Sequence, residues 1–106
     1  MGYHRGEATE STEQEKSMDI SQEVKDDLAR RLRRIEGQVR GIQNMIDEDR
    51  ECRDVVTQIA AASKALEQVG FRMLAAGLTS CLADPEKAAA EGYPIDVVEK
   101  MFMKLA

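Results

Sequence analysis

Two stretches decide the fold: LARRLRRIEGQVRGIQNMI at residues 28–46 and CRDVVTQIAAASKALEQVGFRMLAAGLTSC at residues 52–81. In the first, Leu28, Leu32, Ile35, Val39, Ile42 and Ile46 alternate spacings of four and three. That is the apolar seam of a helix that packs against other helices. Its next positions, Asp49, Arg50 and Arg53, are charged, so a break is expected near residues 47–51. In the second stretch, Cys52, Val56, Ile59, Ser63, Leu66, Gly70, Met73, Gly77 and Cys81 form another seam, with no proline before Pro85. One helix of about 30 residues follows, roughly 45 Å long. A compact domain of the ordered residues would have a radius of gyration of only about 12 Å. One protomer cannot cover such a rod, so the seam is expected to be buried against a second copy, making the protein an obligate oligomer.

Working outward, Ser21 is placed to cap the first helix. Residues 1–20 are polar and acidic without apolar periodicity, and are expected to form a disordered tail. His4, the only histidine, falls there and is given no role. Beyond Asp84-Pro85 a short third helix is expected. Pro94 suits its first turn, and Ile95, Val98, Phe102 and Leu105 form its apolar face. No alternating β-branched or aromatic run marks a strand. The fold class is therefore all-α, with one helical domain over residues 21–106. No apolar run is long enough to span a bilayer and no secretory signal is visible. A cytoplasmic protein with reduced cysteines is expected.

The net charge of −5 is unevenly distributed. Residues 1–24 carry −4 and residues 41–106 carry −4, whereas residues 25–40 carry +3. The bases of that segment are Lys25, Arg30, Arg31, Arg33, Arg34 and Arg40. On a helical projection Arg30, Arg31, Arg34 and Gln38 form a stripe beside the apolar seam. Cations gathered in this way in an acidic protein point to phosphate, and hence to double-stranded operator DNA as partner. Gly37 and Gly41 lie against the stripe and cost about 1 kcal/mol each relative to alanine in a helix. Close approach of a phosphate backbone and close helix packing explain them equally well.

Cys52 and Cys81, the only cysteines, are 29 residues apart on one face of the same helix. Their separation along the axis is about 43 Å, and a disulfide needs Cα atoms within about 7 Å. They cannot pair within one chain. An antiparallel pair of these helices, crossing near Leu66 and Glu67, would set Cys52 of one copy beside Cys81 of the other. Cys52 also falls in the first helical turn, where the dipole favours a thiolate. Buried cysteine as a small core residue is the structural alternative.

The run Arg31-Leu-Arg-Arg-Ile-Glu-Gly-Gln38, with Gly41-Ile42, Met45-Ile46, Cys52-x-Asp54-Val55, Gln58-Ile59-Ala60-Ala61 and Ala65-Leu66, resembles the copper-sensing operon repressor (CsoR) family. The resemblance covers residues 22–105. It implies a three-helix protomer, an antiparallel four-helix-bundle dimer and a dimer of dimers. It implies a repressor that leaves DNA when its inter-protomer site is occupied, and it matches Arg31, Arg34 and Gln38 to DNA-binding positions. Arg30, Arg33 and Arg40 complete the candidate DNA-binding set. The copper-sensing members carry a histidine where this chain has Gly77, and often a tyrosine where it has Glu51. Two thiols without the imidazole resemble the persulfide-sensing (CstR-like) branch. The reading is therefore a non-enzymatic repressor without metal or other cofactor, its Cys52/Cys81 pair modified by a small sulfur donor. Linear Cu(I) between the same two thiolates is the alternative. A thiol sulfurtransferase is the reading from another class, disfavoured because no base is placed to activate either thiol.

Overall fold

The computed structural model describes residues 20–106; His4 and all of the expected tail except Ile20 lie outside them. Four helices follow in order: α1 (Gln22–Asp47), α2 (Cys52–Ala83), α3 (Pro85–Ala90) and α4 (Ile95–Leu105). No strand occurs among the described residues, and the all-α class holds. None of these helices is long and apolar enough to cross a membrane.

Each boundary has a local cause. Ser21 Oγ accepts the backbone N–H of Val24 at 3.2 Å and caps α1. The α1 terminus had no glycine or proline to announce it, and Asp49 supplies the turn with φ at +55°. Arg50 N–H donates to the Met45 carbonyl and Asp49 N–H to that of Ile46, the paired bonds that close a helix around a left-handed residue. Aspartate tolerates that conformation better than most side chains. Glu51 then caps α2 through its carboxylate, which accepts from Arg53 N–H at 3.0 Å. The four-residue connection folds α2 back antiparallel to α1.

The expected third helix is α4, and α3 is an addition to the expected three. Asp84 ends α2 and starts α3: its Oδ1 accepts from Lys87 N–H at 3.2 Å while Pro85 takes the first turn. Gly92, at φ +94°, lets the chain turn into α4. Helix α4 runs back along α2, setting Leu105 against Gly70 and Phe102 beside Phe71 with ring centroids 6.0 Å apart. A Cβ on Gly70 would stand 2.8 Å from Leu105 Cδ1, so any larger residue here must shift the tip of that side chain.

Burial is confined to two small zones. Ile35 of α1 is buried, as are Ala62 and Val69 of α2. A second group, Leu74, Gly77, Cys81, Ala88 and Val98, lies where the C-terminal helices return over α2. By contrast Leu32, Val39, Ile46, Val56, Ile59 and Leu66 are 41% to 56% exposed. The radius of gyration is 17.6 Å, well above the roughly 12 Å of a compact chain this size. At the C-terminal end of the α2 seam, Gly77 and Cys81 are already buried within the protomer, while Met73 stays 41% exposed.

Candidate nucleic-acid interface and thiol pair

Arg31, Arg34, Ile35 and Gln38 of α1 face Ala65 and Gln68 of α2 across a narrow crevice of about 100 Å³. Three residues expected at the DNA face are thus brought together. The Gln38 Oε1 atom is buried there with no hydrogen-bond partner among the described residues. An unmatched buried acceptor costs about 1–3 kcal/mol. Arg30 joins the group through Asp27, and Arg34 projects into solvent. Arg33 and Arg40 do not join it. Arg40 lies beside Leu32, Ile35, Glu36 and Val39, on the apolar flank of α1. A Cβ on Gly37 or Gly41 would meet nothing within 4 Å among the described residues, so packing among them does not explain either glycine.

Asp27 and Arg72 were missed by sequence reading. Asp27 Oδ2 accepts from Arg31 Nε at 2.9 Å and from Arg72 Nε at 3.3 Å, and its Oδ1 accepts from Arg30 Nη2 at 3.1 Å. Desolvation pushes the Asp27 carboxyl up. Hydrogen bonds from Arg31, Arg72 and Arg30, with the Arg31 charge, outweigh it and hold the pKa below the ordinary aspartate value. The stability this linkage supplies is present above that ordinary value and is lost only as pH falls through the lowered one. At neutral pH the cluster is intact. The spacing of Asp27 to Arg30 and Arg31 on one helix was legible as a local pair. Arg72, 45 residues away, carried no such signal.

Cys52 is the first residue of α2 and is exposed; Cys81, near its C-terminus, is buried. Both lie on one continuous helix, so the thiols of a chain stay about 43 Å apart. Gly77, one turn before Cys81, is also buried and offers no ligand. Among the described residues no three His, Cys, Asp or Glu side chains converge on one point. Two soft thiolates match linear Cu(I), whereas a tetrahedral zinc site needs four ligands.

An antiparallel helical protomer with an open apolar face, an arginine crevice and two remote thiols has the parts of a helical DNA regulator. Residues 24–104 match the family described as metal-sensitive transcriptional repressors, and the chain belongs to that family. Over 70 residues it is 51% identical to the copper-sensing transcriptional repressor RicR of Mycobacterium tuberculosis, covering 66% of this chain and 70% of that one. Over 84 residues it is 40% identical to the copper-sensing transcriptional repressor CsoR of Bacillus subtilis, covering 79% of this chain and 83% of that one. No solved structure matches the chain significantly. Both relatives are named for copper, and neither is named for the sulfur chemistry expected from the Cys52, Cys81 and Gly77 set.

Proposed function

We propose that the protein is a cytoplasmic repressor that holds operator DNA through the arginine crevice and releases it when Cys52 and Cys81 of two copies are joined. Its working form is an antiparallel dimer, paired again into a tetramer. The half-exposed Leu32, Val39, Ile46, Val56, Ile59 and Leu66 support this, since such a face is stable in water when another chain covers it.

The inducer is a sulfane sulfur donor, and the observation that carries this reading is Gly77 at the position next to Cys81 where an imidazole would complete a three-ligand copper site. The exposed Cys52 thiolate attacks the outer sulfur of a persulfide RSSH, and the thiol RSH leaves. Cys81 of the second copy, reached once the C-terminal helices covering it shift, then attacks the Cys52 sulfur and expels hydrosulfide. Two thiols are oxidised to a disulfide while the sulfane sulfur is reduced, and further sulfur transfer before closure lengthens the bridge to a polysulfide.

A second reading, release by Cu(I) held between the same two thiolates, is favoured by the names of the two relatives. Two measurements separate the readings. Treatment with glutathione persulfide is expected to give a covalent dimer on non-reducing gels and to release DNA in parallel. Competition with a Cu(I) chelator is expected to show weak, two-coordinate binding. Tight three-coordinate Cu(I) binding with no persulfide cross-link would replace the sulfur donor with copper.

A further inference from the structure

Asp27 makes the one ion pair that joins α1 to α2 among the described residues. It sits among three guanidiniums, so the cluster keeps an excess of positive charge. Arg31 and Arg72 are both held through Nε, which fixes each guanidinium plane and leaves its Nη1/Nη2 edge unengaged. That edge is the fork that binds a phosphate with two parallel bonds. Their side chains are 42% and 41% exposed, open enough to meet a ligand without rearrangement.

We infer that Arg72 of α2 is a further phosphate-contacting residue of the DNA face, and that Asp27 is the positioning residue that sets Arg31 and Arg72 side by side. The inference rests on the reading of the α1 crevice as the DNA face. Asp27 is otherwise out of place. A carboxylate beside a phosphate-binding surface repels the ligand, and one that only repelled DNA would weaken binding. Anchoring two guanidiniums at a fixed spacing offsets that repulsion, because side chains already held in one geometry lose less freedom on binding.

The sign of one substitution separates these effects. The probe is a fluorescein-labelled duplex selected from a random library by the unmodified protein, titrated by anisotropy over a series of KCl concentrations. Charge alone predicts tighter binding by Asp27→Asn. Positioning predicts weaker binding, by roughly threefold or more, with the salt slope unchanged. Arg72→Ala is expected to weaken binding roughly three- to tenfold and to make the salt slope shallower by about one, a readout that a purely structural role would not move. Arg72→Lys, which keeps the charge and loses the fork, is expected to restore the slope and only part of the affinity. Tighter binding by Asp27→Asn, or an unchanged salt slope in Arg72→Ala, overturns the inference. Arg34→Ala, which makes no ion pair with described residues, serves as reference on the same duplex. If Arg34→Ala weakens binding and Arg72→Ala does not, the inference falls and the crevice stands. If neither weakens it, the DNA face itself is misplaced.

Discussion

The two halves of α2 are one uninterrupted helix with one seam pattern, yet they end in opposite surroundings. From Cys52 to Leu66 the seam side chains stand in solvent, and Cys52 is exposed. Toward the C-terminus, where the chain's own C-terminal helices return over α2, Gly77 and Cys81 are buried and Cys81 is only 3% exposed, while Met73 stays 41% exposed. The cause is a matter of reach. Helix α4 has 11 residues, spans about 16 Å and turns back from Gly92, so it ends at Gly70, where Leu105 lies against the backbone. Beyond that point no other described residues cover this face of α2. A periodic seam marks a face that must be buried; the length of the neighbouring element decides whether the same chain or another buries it.

The comparison breaks most visibly at one exposed seam position and one buried residue on either side of that limit. Leu66→Lys, in the open half, is expected to abolish assembly. Sedimentation would then show monomers, and DNA binding would fall with them. Leu74→Ala, in the closed half, is expected to keep assembly intact and lower stability by about 2–5 kcal/mol in denaturant melts. If both variants dissociate the protein, the packing of Leu74 within the protomer is also required for assembly and the contrast drawn here is wrong.

A smaller effect is expected at the thiols. Limited iodoacetamide labelling of the folded protein, read by peptide mass, should modify Cys52 roughly tenfold or more faster than Cys81. Denaturant should abolish the difference. Equal rates in the folded protein would mean that the cover over Cys81 opens readily, and the order of attack proposed for the sulfur donor would lose its basis.

The smallest effects belong to the glycines. Gly37→Ala places a methyl group in open space and should raise helix stability by up to about 1 kcal/mol. If DNA approaches this face, the variant should also bind it more weakly. Gly70→Ala must displace the tip of Leu105, so the same helix gain of about 1 kcal/mol should be largely offset. Thermal melts of the two variants test the contrast, and similar gains in both would show that Leu105 moves aside without penalty.

Much of this architecture was legible in the residue order. The α1 seam, its charged stop at Asp49 and Arg50, the long proline-free run to Pro85 and the Ser21 cap are local patterns, and local patterns set helices. The stripe of Arg31, Arg34 and Gln38 was legible for the same reason, since residues three and four apart share a face. The two-thiol geometry followed from counting, because a straight helix turns sequence separation into distance. What tertiary structure alone decided is which faces meet. It brought Arg72 to Asp27 across 45 residues, set Gln68 against Gln38 and buried Cys81 while leaving Cys52 open. Helical period is a property of neighbours along the chain, whereas the partner of a face depends on connection lengths and on how far each returning helix can reach.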